Sequence, residues 1–345
     1  MNQLQNQTTK ILVTGGAGFI GSHLTDKLLE CGYQVTVLDN LRNGNLNNLK
    51  DARTKQNFSF LEGDILDQSI CNEAAAGVDI IYHLACLGVR HSIHSPFENH
   101  RVNAEGTLNV LEAARLHQVK RFFYISTSEI YGDIKQFPIS EEGVPLPKTV
   151  YGASKLAGEN YTYAYHKCYG LNCTILRIFN NYGPRAHYEG DAGEIIPRSI
   201  VNMLYGKNPV VFGDGSITRD FFFVKDTALV LSQLIDLNHI NGQIINIGTG
   251  VEITMKELLS ELIHLINTNL KIEFLSDRPA EVPRLWVNNS KFLSILHFKP
   301  SVSFQEGLLE TIQYYKDLSA TKKLLTEIPL LNWEQEKINK QSEYR

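Results

Sequence analysis

The stretch KILVTGGAGFIGSHL, residues 10–24, restricts the possible folds of this chain more than any other segment. A short run of strand-forming residues leads directly into three glycines spaced three apart, and a helical pattern follows. Gly15 permits a tight turn out of the strand, Gly18 lets the backbone approach a pyrophosphate, and Gly21 lets the helix lie close to the sheet. The free N–H groups at the start of the helix would hold phosphate oxygens. The segment therefore predicts a β–α unit that binds a dinucleotide.

An acidic residue follows at the end of the next predicted strand. Asp39 lies 18 positions after Gly21, and its carboxylate suits the adenosine ribose 2′-hydroxyl while repelling a 2′-phosphate. This favours NAD over NADP, although Arg42 lies nearby. Asp64, at the end of the third strand, is predicted to bond the adenine amino group. The alternative is a helix cap, for which Asp67 is better placed.

Strand-like and helical patterns alternate through the first half of the chain. The predicted strands are 10–15, 34–39, 58–64, 79–85, 121–127 and 173–179, and the predicted helices are 19–31, 67–76, 97–117 and 150–169. This alternation predicts an α/β fold with a doubly wound parallel sheet of Rossmann type. After residue 180 the regular alternation of strand and helix patterns ends. We expect a dinucleotide-binding domain in 1–180, with the chain crossing back later, a smaller α/β substrate lobe in 181–320, and a polar tail in 321–345 that is a peripheral helix or disordered.

Composition excludes several classes of function. A formal charge of −4 gives no basis for binding nucleic acid or a membrane surface. The polar N-terminus does not resemble a signal peptide, and no apolar run approaches the roughly 18–20 residues of a membrane span. The five cysteines are odd in number and form no CxxC pair, which predicts reduced thiols in a cytoplasmic protein. No Cys/His cluster has the spacing typical of zinc ligands, so no metal is expected.

A candidate reacting group follows the fifth strand. Tyr151 and Lys155, in YGASK, are four residues apart and share a helix face. A nearby ammonium and a nicotinamide cation would both lower the pKa of the phenol and make it a base. The hydroxyls of Thr127 and Ser128 and the carboxylate of Glu129 lie at the end of the strand, where open α/β sheets bind ligands. The alternative for such a cluster is a turn or a helix cap.

Ten motifs in order resemble the NAD-dependent epimerase/dehydratase family of extended short-chain dehydrogenases/reductases, which act on nucleotide-activated sugars. The resemblance covers about residues 10–317 and rests on TGGAGFIGSHL, DNLRNG, GDI, HLA, VNAEGTLNVLEAAR, STSEIYG, YGASK, RIFNNYGPR, FGDGSITRDFFFVKD and DRPAEVPR. It implies that Tyr151 is the base at the sugar C4 hydroxyl, that Thr127 is its hydroxyl partner, and that Lys155 supports both.

The resemblance also implies the binding residues. Those assigned to NAD are Gly15, Gly18, Phe19, Ile20, Gly21, Asp39, Asn40, Asn43, Gly44, Asp64, Ile65, Leu84, Ala85, Cys86 and Asn103, together with Tyr151 and Lys155. Those assigned to the nucleotide diphosphate and sugar are Arg90, Asn180, Arg185, Val211, Phe212, Arg219, Arg278 and Glu281. A UDP-sugar is the expected substrate, and a homodimer through helices 97–117 and 150–169 is implied.

The family shares one first step, oxidation of the sugar at C4, and then diverges. The pair Ser128-Glu129 keeps a carboxylate that can act as base, but it lacks the acid that typical glucose-type 4,6-dehydratases carry before it. The resemblance therefore favours a 4-epimerase. A 4,6-dehydratase or a UDP-glucuronate decarboxylase that uses Glu129 remains the alternative, and Arg90 would suit a uronate carboxylate. A non-catalytic cofactor-binding relative is disfavoured because Thr127, Tyr151 and Lys155 are all present.

Overall fold

The computed structural model describes residues 9–334. The strands are β1 (Lys10–Thr14), β2 (Gln34–Asp39), β3 (Phe58–Glu62), β4 (Ile80–His83), β5 (Arg121–Thr127), β6 (Cys173–Ile178), β7 (Asn180–Tyr182), β8 (Val210–Phe212), β9 (Thr218–Arg219), β10 (Phe221–Phe223), β11 (Ile244–Ile247), β12 (Ile253–Thr254), β13 (Glu273–Leu275) and β14 (Arg284–Leu285). The α-helices are α1 (Phe19–Glu30), α2 (Gln68–Ala75), α3 (Val89–His94), α4 (Pro96–His100), α5 (Gly106–Leu116), α6 (Val150–Tyr169), α7 (Ile195–Leu204), α8 (Val224–Gln233), α9 (Met255–Ile266), α10 (Ser290–Leu296) and α11 (Phe304–Thr321).

Seven of these strands form one parallel sheet in the order β11-β6-β5-β4-β1-β2-β3. The predicted doubly wound parallel sheet is therefore confirmed. The edge strand β11 comes from residues 244–247, long after the chain has left the first half, and pairs with β6. The carboxyl ends of all seven strands meet at one edge of the sheet, where open α/β sheets hold ligands.

Helices cover both faces of the sheet because successive strand residues point to opposite sides. On one face, Ile11 and Val13 pack in a buried cluster with Leu28 of α1 and Val230 of α8. On the other face, Leu12 belongs to a second cluster that includes residues of α2 and α5.

The second lobe has its own core. Met255, Leu258 and Leu262 of α9 pack with Ile200 of α7 and Ile312 of α11. Helices α9 and α11 each begin with a capping box, Thr254–Glu257 and Ser303–Glu306, in which the side chain of the cap and that of the glutamate bond each other's backbone N–H. These caps are encoded locally and fix where the helices start.

The segment after α11 packs against this lobe through residue 334. Leu324 is fully buried, and the ring of Trp333 lies edge-on to Phe212 with centroids 4.6 Å apart. The side-chain amide of Asn332 donates to the carbonyl of Gly193 at 3.0 Å. Residues 324–334 belong to the stretch expected to be a polar tail, and its remainder, 335–345, lies outside the described residues.

Two details differ from the sequence patterns. The helix predicted over 97–117 is divided into α4, a π-helical turn at Arg101–Glu105, and α5. Strands β3 and β4 end two residues before the predicted boundaries, so Asp64 and Ala85 lie in the connections that follow. Within residues 9–334, none of the helices combines the length and the apolar character that crossing a bilayer requires.

Candidate active site

A cleft of about 760 Å³ lies between the carboxyl edge of the sheet and the second lobe. All but two of the residues predicted from the sequence to bind cofactor or substrate, or to catalyse the reaction, line it. The predicted residues that line it are Gly15, Gly18, Phe19, Ile20, Gly21, Asp39, Asn40, Asn43, Gly44, Asp64, Ile65, Leu84, Ala85, Cys86, Arg90, Thr127, Ser128, Glu129, Tyr151, Lys155, Asn180, Val211, Phe212, Arg219, Arg278 and Glu281.

The glycine loop leaves no room for side chains at two positions. Gly15 has φ +71°, and a Cβ there would lie 2.7 Å from the backbone nitrogen of Ala85. A Cβ at Gly21 would overlap the carbonyl oxygen of Gly15, so only glycine lets α1 begin this close to the turn. Helix α1 begins at Phe19 after Gly18 and has no side-chain cap, so its first N–H groups face the cleft without a local partner.

Asp39 is held by backbone donors of this loop. Its carboxylate accepts from the N–H of Ala17 at 2.9 Å and from the N–H of Leu41 at 2.8 Å. Burial raises the pKa of Asp39, and these two hydrogen bonds oppose the rise. The carboxylate is thus fixed in place at the end of β2, beside Gly44.

The next acidic position, Asp64, caps no helix. Its Oδ1 accepts from the N–H of Leu66 at 2.8 Å, and its Oδ2 accepts from the side-chain amide of Asn40 at 3.0 Å. Asp67 instead caps α2, as its position suggests. The guanidinium of Arg42, which could have favoured a 2′-phosphate, is paired with Glu98 at 3.0 Å.

Tyr151, Thr127 and Lys155 all line the cleft. Helix α6 carries two of them, and it begins where the Thr149 side chain accepts from the N–H of Gly152 at 3.0 Å. Burial raises the pKa of Tyr151 well above its ordinary value, and a hydrogen bond with Thr127 opposes the rise. The phenol is therefore protonated at neutral pH before any ligand enters.

Lys155 is directed at the backbone of β5. Its Nζ donates to the carbonyl of Ile125 at 2.6 Å and lies 4.3 Å from the centroid of the Tyr124 ring. Burial lowers the pKa of this ammonium. The hydrogen bond that lowers the pKa of Tyr151 is thus with Thr127. The ammonium of Lys155, which the sequence predicts to act on the phenol, is held instead by the carbonyl of Ile125, two residues before Thr127 in β5.

A buried ion pair fixes α6 against the sheet. Arg177 of β6 donates to both carboxylate oxygens of Glu159, with Nη2 at 2.7 Å from Oε2, and Ser126 of β5 donates to the same carboxylate. Both charged side chains are almost fully buried. This network sets the distance between the helix that carries Tyr151 and the strand that ends at Thr127.

Glu129 lies in the short 3₁₀ turn after β5 and faces the substrate side of the cleft. Burial raises the pKa of its carboxyl, and the charge of Arg219 opposes the rise. A protonated carboxyl at this place can donate a proton to a leaving group, and its conjugate base can accept one. Ser128 beside it is buried and lines the cleft, but an aliphatic hydroxyl is too weak an acid to replace a carboxyl.

Four arginines of the substrate side lie near one another. Arg90 is paired with Glu194, and Arg219 and Arg278 share Glu281. Arg198, which the motifs did not point to, also lines the cleft. Burial and the charge of Arg90 lower the pKa of Arg198 to about 10, and the same two causes lower the pKa of Arg278. An anion in this part of the cleft would relieve their mutual repulsion.

Two of the predicted residues lie elsewhere. Asn103 is buried beneath the cleft, where its side chain accepts from the N–H of Leu87 at 2.8 Å and donates to the carbonyl of the same residue at 3.0 Å. Arg185 was predicted to point into the cleft, but its guanidinium is paired with Asp26 of α1 at 2.7 Å. The carbonyl of Pro184 is 2.9 Å from Nε2 of His23, so this turn packs on α1.

The sequence reasoning missed part of the lining. His187, Asp191 and Glu194 come from the loop between β7 and α7, and Leu330 and Asn332 come from the C-terminal segment. Burial alone would lower the pKa of His187, but the hydrogen bond to Glu189 and the nearby negative charges together outweigh it, and the pKa is raised. The signal that could have found the C-terminal part is the apolar character of LLTEIPLLNW, residues 324–333, within the otherwise polar tail.

Comparison with known proteins supports the resemblance of the motifs. The family model described as GDP-mannose 4,6 dehydratase matches residues 12–311. A dTDP-glucose 4,6-dehydratase from Streptomyces niveus is 37% identical over 317 residues, 89% of this chain and 93% of that protein. A UDP-glucose 4-epimerase from Mycolicibacterium smegmatis is 35% identical over 315 residues, 90% of this chain and 99% of that protein.

Solved structures agree. The crystal structure of the dTDP-glucose 4,6-dehydratase DesIV from Streptomyces venezuelae, with NAD bound, superposes with a TM-score of 0.87 at 32% identity, covering 92% of this chain and 100% of that one. The chain belongs to the NAD-dependent epimerase/dehydratase family of extended short-chain dehydrogenases/reductases. It is an enzyme of this family, whose members include epimerases, dehydratases and decarboxylases of nucleotide sugars.

Proposed function

We propose that this protein is an NAD-dependent nucleotide-sugar 4-epimerase that acts through a bound 4-keto sugar. The observation that carries the proposal is Ser128, a weak acid at the position where the resemblance places the acid of a dehydratase, in a cleft that Tyr151, Thr127 and Lys155 also line. When bound, NAD would accept a hydride from C4 of the sugar and later return it to C4.

The first lobe fits NAD. Gly15 and Gly21 lie where a Cβ would clash with neighbouring backbone, so they let the start of α1 pack close to the turn, and Asp39 presents a carboxylate at the end of β2. The N–H groups at the start of α1 suit a diphosphate, and the carboxylate suits an unphosphorylated ribose.

The second lobe supports binding of a nucleotide diphosphate, for which we propose a UDP-sugar. Arg90, Arg198, Arg219 and Arg278 supply guanidinium groups on one side of the cleft, and such groups form paired hydrogen bonds to diphosphate oxygens. The side-chain oxygen of Asn180 is buried without a hydrogen-bond partner among residues 9–334, so it can accept a hydrogen bond from an N–H or O–H group of a ligand.

In the reaction, the phenol oxygen of Tyr151 removes the proton of the C4 hydroxyl as the hydride leaves C4. Thr127 bonds the phenol and keeps it at the sugar. With NAD bound, the positive charge of the nicotinamide would favour the phenolate form of Tyr151 and so lower the pKa of its phenol, against the effect of burial. For epimerisation, the keto sugar turns over, the hydride returns to the other face of C4, and Tyr151 returns its proton.

Glu129 favours a second candidate, in which the same keto sugar loses water or carbon dioxide. Its half-buried carboxyl lines the cleft, and desolvation raises its pKa, so it is suited to proton transfer at C5. The two candidates share every step up to the ketone and differ only afterwards.

Product analysis separates the candidates. Purified protein is incubated with UDP-, dTDP- and GDP-sugars, and the products are analysed by mass spectrometry and NMR. An unchanged mass with an inverted C4 supports the epimerase. Loss of water or of carbon dioxide would contradict it and establish the second candidate.

Substitution of Glu129 gives an independent test. For an epimerase, Glu129→Gln should lower kcat less than about tenfold, whereas for a dehydratase or decarboxylase it should lower kcat by about 10²–10⁴-fold. If Glu129 acts as a base, kcat of the unaltered enzyme falls as pH drops through its raised pKa, and the Gln variant loses that limb. Glu142→Gln, at an exposed glutamate outside the cleft, is the control.

We also propose a homodimer formed through α4, α5 and α6. These helices expose large apolar side chains, with Phe97 87% exposed, Tyr169 58%, Leu116 51% and Tyr163 50%. Exposed apolar residues grouped on neighbouring helices are typical of an interface. Sedimentation at micromolar concentration should give twice the monomer mass, and Leu108→Glu should weaken association. A monomer at that concentration would contradict the proposal.

A further inference from the structure

Three side chains with metal-binding atoms meet at the rim of the cleft, away from Tyr151. His91 and His94 belong to α3, and Asp191 lies in the 3₁₀ turn Gly190–Ala192 of the second lobe. Each offers a ligand atom, and these atoms all lie within 4.8 Å of one another. Nε2 of His94 is 2.9 Å from Oδ2 of Asp191, and the two imidazole rings lie 4.9 Å apart.

The second observation is a buried imidazole nitrogen without a partner. His91 is 6% exposed, and its Nδ1 has no hydrogen-bond partner among residues 9–334. Its other nitrogen, Nε2, is 3.1 Å from the carboxylate of Glu98, beside Arg42 at 3.2 Å. Burying an unpaired polar atom costs free energy, so a group that binds Nδ1 would stabilise the fold.

The remaining contacts match those around protein-bound metals. A metal-binding histidine usually donates its second ring N–H to a carboxylate or another oxygen, which fixes the tautomer. Glu98 is such a partner for His91, and the hydroxyl of Ser95, 2.9 Å from Nδ1 of His94, is such a partner for His94. Nδ1 of His91, which has no partner among residues 9–334, and Nε2 of His94, whose partner is the proposed ligand Asp191, are then the nitrogens that would bind an ion.

We propose that His91, His94 and Asp191 bind one divalent transition-metal ion of the Zn²⁺ type. Two imidazoles and one carboxylate are a three-ligand set that leaves a fourth position open. With bond lengths of about 2.0–2.2 Å, tetrahedral ligand atoms lie roughly 3.3 Å apart. The present spread therefore needs only small side-chain rotations. Mg²⁺ and Ca²⁺ prefer oxygen ligands and fit this set poorly.

The place of the site indicates what the ion does. Asp191 lines the cleft, and Arg90 at the start of α3 is paired with Glu194 a few residues further along the same loop of the second lobe. A metal ion would replace the hydrogen bond between His94 and Asp191 with coordination bonds and tie α3 more firmly to this loop. The inference does not depend on which sugar chemistry the enzyme performs.

The test uses the full chain, freed of metal by dialysis against a chelator. Titration with Zn²⁺ by calorimetry above pH 7, where imidazoles are neutral, should give one equivalent bound with a micromolar or lower Kd. At about 100 times that Kd, Zn²⁺ should raise the Tm by roughly 5 °C. Co²⁺ should give the visible absorption of a tetrahedral complex, and Mg²⁺ should leave the Tm unchanged.

Two variants and one control decide the ligands. His94→Gln and Asp191→Asn change side chains that are 16% and 31% exposed, so each should fold, as circular dichroism will verify. Each should weaken Zn²⁺ at least tenfold and remove the rise in Tm. His100→Gln, at an exposed histidine of the neighbouring helix α4, should change neither. Absence of a 1:1 complex, or equal affinity in all the variants, would overturn the proposal.

Discussion

On the side of the cleft formed by β1 and β2, the carboxylate of Asp39 is held by backbone N–H groups, whereas on the substrate side three arginines are each paired with a glutamate. Asp39 accepts from the N–H groups of Ala17 and Leu41. Across the cleft, Arg90 is bound to Glu194, and Arg219 to Glu281 at 2.6 Å. A ligand on the first side adds to bonds that already exist, but an anion on the second side must exchange with a carboxylate.

The difference concerns preorganisation. A carboxylate fixed by two N–H groups loses little freedom when a ribose arrives, so its contribution to affinity is retained. A guanidinium that must first break its ion pair with a glutamate contributes less to ligand affinity. Its contribution is only the difference in free energy between that ion pair and the one that it forms with the ligand. The two sides should therefore respond differently to the loss of a single side chain.

Tyr151→Phe tests the part of the cleft where the two sides meet, and of these variants it should have the largest effect on activity. Removing the phenol oxygen removes the acid and base, so kcat should fall by about 10³-fold or more, while both affinities stay within about threefold. Steady-state kinetics and calorimetry measure the two quantities. A variant that keeps most of its activity would show that another group takes the C4 proton.

Asp39→Ala tests the first side. Hydrogen bonds to a charged group contribute about 1.5–3 kcal/mol each, so NAD should bind about 100-fold more weakly. The affinity for the nucleotide sugar should change little, because the variant alters no residue on the substrate side of the cleft. Fluorescence titration with each ligand checks both. Unchanged affinity for NAD would mean that the ribose is held by other residues.

Arg219→Met should have a smaller effect, about tenfold on the affinity for the nucleotide sugar, because the arginine must give up Glu281 when it binds. The matched control is Arg185→Met, at the arginine that is paired with Asp26 outside the cleft lining. The control should lower stability slightly and leave KM unchanged. If both variants raised KM equally, the two sides would not differ as the structure indicates.

The sheet and the cofactor side could be predicted from the sequence because their signals are local. Apolar and β-branched residues indicate strands such as Gln34–Asp39, and the glycine spacing indicates where Cβ atoms are excluded, as the structure shows at Gly15 and Gly21. The end of α6 is equally local, since Gly170 adopts φ +70° and closes the helix at Tyr169.

The substrate side could not be predicted to the same depth because its partners are distant in sequence. Arg185 follows a Gly-Pro turn, and nothing local reveals that Asp26, 159 residues earlier, will take its guanidinium. Arg198 lies on an otherwise apolar helix and reaches the cleft only because α7 packs beside it. His91 and His94 are three residues apart, but the carboxylate that completes their cluster comes from the other lobe.

The crossing of the chain back to β11 joins the two lobes into one folding unit. Strand β11 covers the edge of β6, whose six residues are all buried. A shortened polypeptide that stopped at residue 180 would leave the N–H and C=O groups of that edge without partners and prone to aggregation. We therefore expect both lobes to unfold in a single thermal transition. We also expect that neither lobe can be used as an independent module in protein engineering.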